Sequence, residues 1–440
     1  MRIRNFLPVA SVLVLLISLF AASPQAQQPK PTPSPTPGKP KLPKLTSHVV
    51  LITISGLRAD HANDPDSFRL KIPNLQSLRA NGSHAVGVES VYPSQRIPAH
   101  VSMVTGVLPA DHGITSDVPF DEQTGASATS TVRSAKTIKA DTVWEAANRA
   151  DLTSAAIGFP MTTDATIKFN LPEAEQNSDT AKAEAAIELI AKHQRNPLVN
   201  LLAVNFTSYD AAQRRHGLLS KEAILALETI DGLIGKIVQA IERAKLKEQT
   251  TLLIVSDHGA SKVEREFRPN VLLAKKGFLT IDGQGIVKSW RAVAQSFGGS
   301  AAIFLKNPQD QIAAQEVEQL FRTLEEDSDN PLWRISVRRE AARLGADPRA
   351  VLFLDAAPLF QLSDRISGST IGKAADRAAY GYLPSRAEMR GALFLSGKAI
   401  KVGQKIEYAR LIDVAPTIAR LLGLEMKTAR GRVLSEVIGQ

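Results

Sequence analysis

The residues best suited to chemistry follow three apolar runs of the sequence. Ser55 lies at the end of HVVLITISG, Asp210 follows VNLLAVNF, and the pair Asp257–His258 follows TTLLIVS. Carboxylates, imidazoles and hydroxyls are the side chains that bind divalent metals or act as nucleophiles. The chain has no cysteine, which excludes disulfides and thiolate chemistry. Any metal site must therefore be built from Asp, Glu and His.

A fourth stretch, VYPSQRIPAH from Val91 to His100, has the pattern of a loop that presents a nucleophile at the start of a helix. The residue at its centre is Arg96, and a guanidinium is protonated at ordinary pH and cannot act as a nucleophile. Ser94 lies two residues earlier and is the alternative hydroxyl. The loop therefore has the frame of a catalytic loop without its expected side chain.

The elements around these residues predict an α/β fold with a mostly parallel sheet. The three apolar runs are rich in β-branched residues and are typical of buried parallel strands. Between them, PNLQSLRANG, IPAHVSMVTG and residues 221–246 have the apolar spacing and end signals of helices. Strands that alternate with helices indicate a doubly wound sheet, in which the ligand site lies beyond the carboxyl ends of the strands. We therefore expect Ser55, Asp210, Asp257 and His258 to converge there.

The two ends of the chain and one internal segment have their own patterns. Residues 1–26 combine an N-terminal basic region, an apolar core and small residues, which predicts a signal peptide and an exported, periplasmic or secreted protein. A retained membrane anchor is the alternative, but the apolar run is short and Pro8 interrupts it. We expect residues 27–46 to form a Pro-rich linker and residues 47–440 to form the folded domain. A change of pattern at about 267–376 predicts a smaller α+β cap-like insertion.

The formal net charge of the chain is +9. No compact basic run interleaved with aromatic residues occurs, so we expect no nucleic-acid partner. A diffuse positive charge could favour anionic ligands, but ordinary surface lysines and arginines are the simpler explanation. The sequence identifies no protein partner.

The order of these segments resembles the alkaline phosphatase superfamily, in particular its type I phosphodiesterase and nucleotide pyrophosphatase branch. The stretches that carry the resemblance are LITISGLRAD, IPNLQSLRANG, VYPSQRIPAHVSMVTGVLPADHGI, IVSDHG, GYLPSRAEMRG and IDVAPTIARLLG. They occur in the order of the family and span nearly the whole predicted domain. The resemblance implies an alkaline phosphatase-like fold and a site in which two zinc ions activate a Thr or Ser nucleophile toward a phosphate ester.

The resemblance implies six metal ligands and one nucleophile, and three of these positions keep a metal-binding residue. Asp210 corresponds to one metal-binding aspartate, and Asp257 with His258 corresponds to an Asp-His pair of ligands. In the family pattern these three ligands are divided between the two metals.

The other four positions are substituted. Ser55 replaces a metal-binding aspartate, Arg96 replaces the nucleophile, and Arg214 and Tyr380 replace metal-binding histidines. Ala99 also replaces an asparagine that holds a phosphoryl oxygen in the family. These substitutions predict a pseudo-phosphodiesterase with no cofactor, or at most one zinc.

Three interpretations of the site remain open at this stage. Arg96 and Arg214 are expected to pair with Asp257 and Asp210, since unpaired buried carboxylates would be costly without metals. Such a cluster could be purely structural, or the two arginines could bind a phosphate-type anion. The competing hypothesis is an active hydrolase with one metal on Asp210, Asp257 and His258, and with Ser94, Ser55 or water as the nucleophile.

Overall fold

A computed structural model describes residues 43–128, 134–173, 178–192, 199–282 and 286–439 of the chain. The predicted signal peptide and most of the predicted linker lie outside these residues. These described residues belong to one compact unit.

The strands of the described residues, numbered in chain order, are β1 (His48–Ile54), β2 (Gly82–Ala85), β3 (Val88–Glu89), β4 (Phe120–Asp121), β5 (Ala126–Ser127), β6 (Ser154–Ile157), β7 (Phe169–Leu171), β8 (Leu201–Phe206), β9 (Thr250–Val255), β10 (Ser261–Phe267), β11 (Leu279–Ile281), β12 (Val287–Trp290), β13 (Ala292–Ser296), β14 (Ser300–Leu305), β15 (Leu332–Val337), β16 (Leu352–Ala356), β17 (Leu359–Leu362), β18 (Ile371–Lys373), β19 (Ala378–Ala379), β20 (Leu393–Gly397), β21 (Lys405–Ile406) and β22 (Ala409–Arg410).

The α-helices of the described residues are α1 (Ala59–Asn63), α2 (Pro73–Ala80), α3 (Arg96–Thr105), α4 (Pro109–His112), α5 (Val143–Arg149), α6 (Asp179–Ala191), α7 (Ser208–His216), α8 (Lys221–Arg243), α9 (Pro269–Lys275), α10 (Gln311–Arg322), α11 (Arg338–Ala342) and α12 (Val414–Leu422). The three helices predicted from the sequence are α2, α3 and α8.

The central sheet has eight strands in the order β21-β2-β20-β9-β1-β8-β6-β7. Strands β9, β1, β8, β6 and β7 run parallel to one another, and β20 is antiparallel to both of its neighbours. The three predicted apolar strands are β1, β8 and β9, side by side at the centre. The predicted fold class is therefore confirmed.

Both faces of the central sheet are covered by helices. Alternate residues of β1 face opposite sides, because successive side chains of a strand point to opposite faces. Val50, Ile52 and Ile54 pack in one buried cluster with residues of α8, whereas Val49 and Leu51 pack in another with residues of α3 and α12. Strands buried on both faces explain the continuous apolar runs of the sequence.

The segment predicted to be a cap-like insertion contains a second sheet. Strands β13, β14, β16 and β15 form an antiparallel sheet in that order, and β11 pairs with β12 as a separate hairpin. This part of the chain supplies most of a buried apolar cluster, which includes Phe304, Phe321 and Phe353 and also residues outside the segment such as Tyr92 and Phe120. The bounds of the insertion, 267 and 376, stay a prediction.

Arg386 ties the second sheet to the loop that precedes β20. Its guanidinium donates to the carboxylate of Asp355 on β16, which also accepts the backbone N–H of Leu383 at 2.7 Å. The same guanidinium lies 4.3 Å from the ring centroid of Trp333 and 4.6 Å from that of Tyr382. Burial raises the pKa of Asp355 to about 7, although Arg386 and the Leu383 N–H oppose the shift.

Candidate functional site

The carboxyl ends of β1, β8 and β9 bring together the polar residues predicted to meet there. Thr53 of β1 lies opposite Asn205 of β8 and Val255 of β9, so the three strands end level with one another. Ser55 follows β1, Asp257 follows β9, and the Ser55 hydroxyl donates to Asp257 Oδ2 at 3.0 Å. The predicted convergence of these residues is confirmed.

Asp257 is fully buried, and groups of the protein surround its carboxylate. Oδ1 accepts the backbone N–H groups of Gly56 at 3.2 Å and His258 at 3.0 Å. Oδ2 accepts the Ser55 hydroxyl and lies 3.4 Å from Nδ1 of His100. Burial alone would raise the pKa of Asp257. The neighbouring His258, His100, Ser55 and Arg96 together outweigh burial and lower this pKa below the usual range. Asp257 is therefore held as an anion without a direct arginine partner.

His258 is also fully buried, and its two ring nitrogens have different surroundings. Nδ1 lies 2.8 Å from the carbonyl oxygen of Gly259, which can only accept, so Nδ1 carries a proton. Nε2 makes no hydrogen bond with any described residue and lies 3.5 Å from Asp257 Oδ2. The ring of Tyr380 packs on His258 with 4.3 Å between ring centroids. An aromatic ring thus lies against the imidazole.

Asp210 lies in the first turn of α7, and its side chain is nearly inaccessible to solvent. Its Oδ1 atom makes no hydrogen bond with any described residue, and neither does Oε1 of Gln213, one turn further along the helix. Burial raises the pKa of Asp210, while the neighbouring His258 and Arg214 oppose that shift. Asp210 is thus the poorly compensated carboxyl group of the site.

Arg96 begins helix α3, and its ion pair is with Glu173 rather than with Asp257. Its Nη1 atom lies 2.6 Å from Oε1 of Glu173, with 16% and 19% of the two side chains exposed. Burial disfavours the charged guanidinium, but Asp117 and Glu173 outweigh burial and raise the pKa of Arg96. Arg96 is therefore neutralised by carboxylates from loops outside the three central strands.

Arg214 lies four residues after Asp210 on α7, but its ion pair is with Asp376 at 3.0 Å. The guanidinium is 42% exposed and lies 5.6 Å from the ring centroid of Tyr380. The predicted direct pairs, Arg96 with Asp257 and Arg214 with Asp210, are therefore wrong. Asp257 already accepts hydrogen bonds on both oxygens, and the Arg214 guanidinium pairs with the partly exposed carboxylate of Asp376 rather than with buried Asp210.

The first turn of α3 is closed by a carboxylate from a distant loop. Asp117 Oδ1 accepts the backbone N–H of Ile97 at 2.7 Å, and Asp117 Oδ2 accepts the Tyr380 hydroxyl at 3.1 Å. A helix N-terminus is a natural anion site because its first N–H groups lack partners within the helix. Asp117 of the protein itself occupies part of that position.

The Ser94 hydroxyl and the His100 imidazole both form hydrogen bonds within the protein. The hydroxyl of Ser94, the alternative nucleophile, is fully buried and donates to the carbonyl oxygen of Val91 at 3.1 Å. His100 lies with Nδ1 2.8 Å from the carbonyl oxygen of Arg96 and Nε2 3.0 Å from the Thr53 hydroxyl. Burial lowers the pKa of His100, although the neighbouring Asp257 opposes this shift.

Sequence reasoning did not find three members of this cluster: Asp117, Glu173 and Asp376, the partners of the substituted positions. These three carboxylates lie in loops, and no spacing in the sequence links them to Arg96, Arg214 or Tyr380. The stretch VYPSQRIPAH, which contains both Arg96 and His100, is the part of the cluster that a local sequence pattern did indicate.

The residues present do not fit the two zinc ions that the fold family implies. Within the described part of the chain, no three His, Asp or Glu side chains are grouped so that they could hold a metal ion. Ser55 and Arg214 supply a hydroxyl and a cation, and Tyr380 places a ring against His258. The cluster can hold the buried carboxylate of Asp257 in its charged form, but it does not provide the set of oxygen and nitrogen ligands that two zinc ions require.

The fold and the arrangement of this cluster define a protein of the alkaline phosphatase-like α/β class. The family model "Type I phosphodiesterase / nucleotide pyrophosphatase" matches residues 49–350, more than half of the chain, and the chain belongs to that family. Venom phosphodiesterase 2 of Crotalus adamanteus is 24% identical over 271 residues, covering 55% of this chain and 33% of the relative. Human ectonucleotide pyrophosphatase/phosphodiesterase family member 1 is 24% identical over 221 residues, covering 49% of this chain and 24% of the relative. The chain thus spans a third or less of these curated relatives.

Solved structures show the same fold. Murine ectonucleotide pyrophosphatase/phosphodiesterase 5 superposes with a TM-score of 0.71 at 19% identity, covering 89% of this chain and 100% of that one. The human protein of the same name superposes with a TM-score of 0.70 at 19% identity and the same coverage. A murine variant described as inactive and in complex with AMP matches with a TM-score of 0.71 at 20% identity.

The membrane-anchor alternative concerns residues that the structure does not describe. Among the described residues, none of the helices has the length and apolar character needed to cross a membrane.

Proposed function

We propose that this protein is an exported, non-hydrolytic member of the type I phosphodiesterase family. The observation that supports the proposal is the filling of the site: Tyr380 packs on His258, Arg214 extends from the helix that carries Asp210, and Arg96 begins α3. Each takes a position that the family resemblance gives to a metal ligand or to the nucleophile. Export is supported by the signal peptide predicted for residues 1–26.

Charge is the physical reason why such a site can exist without two metals. A buried carboxylate left without a counter-charge or hydrogen bonds is strongly destabilising. In this protein Asp257 has Ser55, Gly56 and the backbone of His258 as donors. The protein's own groups thus stabilise charge that the family stabilises with zinc.

The test measures metal content and hydrolysis together. The purified chain is incubated with zinc, desalted, analysed by inductively coupled plasma mass spectrometry and assayed with bis(p-nitrophenyl) phosphate. We expect less than stoichiometric zinc and no turnover above background. The matched variant is the quadruple reversion S55D/R96T/R214H/Y380H, in which we expect zinc binding to return because the frame of the site is kept.

Stoichiometric zinc with turnover in the unmodified chain would refute the proposal. It would support instead the single-metal hydrolase that uses Asp210, Asp257 and His258. The variant Asp257→Asn separates this outcome from a contaminating hydrolase, since only genuine activity of this chain would disappear with it.

Binding of a phosphate-type anion is the second candidate function, and one observation favours it. Arg214 is 42% exposed, and its partner Asp376 is 36% exposed. Exposed ion pairs contribute little and exchange readily, so an anion can compete with Asp376 for the guanidinium. Arg96 is less suited to this role, because Glu173 and Asp117 already neutralise it.

Calorimetric titration with inorganic phosphate and with AMP tests the second candidate. We expect weak binding that is lost in Arg214→Gln and strengthened in Asp376→Asn, which frees the guanidinium. Equal heats for all three proteins would leave the ion-pair cluster as a purely structural feature.

A further inference from the structure

A cavity of about 820 Å³ lies beside the second sheet, lined by the β4–β5 hairpin, by strand β12 and by residues that follow β17. Ser55, Asp210, Asp257 and His258 do not line it. Sites for small organic ligands typically measure roughly 300 to 1,000 Å³ and combine apolar walls with a few polar groups. The volume and the mixed lining of this cavity match that description.

The apolar wall of the cavity is formed largely by Trp290, and packing fixes its indole ring. The ring meets Phe120 edge-on, with 6.0 Å between centroids and an interplanar angle of 81°. Phe120 in turn stacks on Phe304 with 4.0 Å between centroids. Ile286, 59% exposed, extends the apolar surface at the cavity edge. The indole is therefore a rigid wall, and binding would cost little side-chain entropy there.

The hairpin can approach this ring because Gly125 has no side chain. Gly125 has a φ of +68°, and a Cβ atom at this position would lie 2.5 Å from Nε1 of Trp290. Any side chain here would push the indole out of place. The fit of the β4–β5 turn against Trp290 thus depends on one glycine.

The lining of the cavity carries more positive than negative charge. Lys288, Lys306 and Arg365 line it, whereas Asp364 is the one acidic residue of the lining. Both oxygens of Asp364 already accept hydrogen bonds, from the Ser127 hydroxyl at 3.0 Å and from the backbone N–H of Ser296. The single carboxylate of the lining therefore does not neutralise the three positively charged side chains of the cavity.

Two of these cations are available to a ligand. Lys306 lies 5.0 Å from the ring centroid of Trp290 and donates only long hydrogen bonds, 3.3 and 3.4 Å, to the backbone carbonyls of Gln123 and Glu122. Lys288 makes no ion pair with any residue that the structure describes. An anion could meet both ammonium groups without breaking an ion pair of the protein.

We propose that this cavity binds a small organic anion with a planar ring. The ring would lie along Trp290 and Ile286, and the carboxylate, phosphate or sulfonate group would interact with Lys288 and Lys306. This proposal does not rest on the proposed function, because none of the residues at the ends of β1, β8 and β9 takes part.

The test uses 2-naphthoate as the probe and isothermal titration calorimetry of the full chain. Two matched compounds separate the components: 2-naphthylmethanol has the ring without the charge, and acetate has the charge without the ring. We expect saturable binding of 2-naphthoate to one site with a dissociation constant below about 1 mM. Both matched compounds should bind at least about fivefold more weakly.

Three variants assign the binding to the cavity. K288Q/K306Q keeps the fold, since both side chains are exposed, and should weaken 2-naphthoate binding by about fivefold or more. Trp290→Leu should weaken it further, and circular dichroism checks that this variant folds. Arg214→Gln, at the other site, should leave the affinity unchanged.

Absence of saturable binding would overturn the proposal, and so would an affinity that K288Q/K306Q leaves unchanged. Binding that Arg214→Gln removes would also overturn it, because the probe would then occupy the phosphodiesterase-type site.

Discussion

The two arginines of the site should differ in their contribution to stability, and burial determines the difference. Arg96 and Glu173 are 2.6 Å apart with less than a fifth of each side chain exposed, whereas Arg214 and Asp376 are 42% and 36% exposed. Removing one partner of a buried ion pair costs about 3–5 kcal/mol, because the remaining buried charge loses its closest counter-charge. An exposed pair is worth about 0–1 kcal/mol.

We therefore expect Arg96→Gln to lower the free energy of unfolding by about 3 kcal/mol, at the lower end of that range because the pair keeps some solvent contact. Arg214→Gln should lower it by about 1 kcal/mol or less. Glutamine keeps part of the side-chain length and its hydrogen-bonding capacity, so the comparison isolates the charge. Urea unfolding followed by tryptophan fluorescence measures both variants.

The double variant R96Q/E173Q completes the cycle. Because both charges are removed together, the loss in the double variant should be smaller than the sum of the losses in Arg96→Gln and in Glu173→Gln, with a coupling of about 2 kcal/mol. Added salt should reduce the effect of Arg214→Gln more than that of Arg96→Gln, since screening acts on exposed charges. Equal losses for the two arginines, or additive losses within the cycle, would refute the ion-pair account of this site.

Three further outcomes follow from other parts of the structure. Burial raises the pKa of Asp355 to about 7, so the folded protein binds the proton of this carboxyl group more tightly than the unfolded chain does. The contribution of Asp355 to the unfolding free energy therefore falls as the pH rises from about 4 to 7. The unfolding free energy of Asp355→Asn minus that of the unmodified chain should rise over this range, by up to about 4 kcal/mol, and a flat difference would contradict the shift. Gly381→Ala should lower stability by about 2–4 kcal/mol, because a Cβ would lie 1.9 Å from the carbonyl oxygen of Phe297 at a φ of +88°. Gly403→Ala, with φ +77° and no atom within 4 Å, is the matched control and should cost about 1–2 kcal/mol in thermal melts. Tyr380→Phe keeps the ring but removes the hydrogen bond to the carboxylate that caps α3, and should cost about 1 kcal/mol in urea unfolding.

The sequence was sufficient to predict the three central strands of the sheet because each signal there is local. The apolar runs that became β1, β8 and β9 are buried on both faces, so their continuous hydrophobicity identified them without help from the rest of the chain. Topology then placed Ser55, Asp257 and His258 together, since parallel strands end at one edge of the sheet.

The partners of the arginines could not be predicted in the same way. Asp210 and Arg214 are four residues apart on one helix, the spacing of a helical ion pair, yet Arg214 pairs with Asp376, 162 residues away in sequence. Glu173 lies 77 residues from Arg96. Such pairs depend on how loops are folded over the sheet, and neither periodicity nor helical spacing contains that information. Asp257 has no need of an arginine partner, because both of its oxygens already accept hydrogen bonds. No pattern in the sequence indicates these donors.

The hydrogen bonds that run from Tyr380 through Asp117 to the N–H of Ile97 have a consequence for hydrogen exchange. A backbone amide in the first turn of a helix usually exchanges quickly with solvent, because it lacks a partner within the helix. Here that amide is held by the side chain of Asp117, which is itself held by Tyr380, 263 positions further along the chain. The start of α3 and the segment before β20 should therefore open together, as one cooperative unit whose amides acquire deuterium at the same rate.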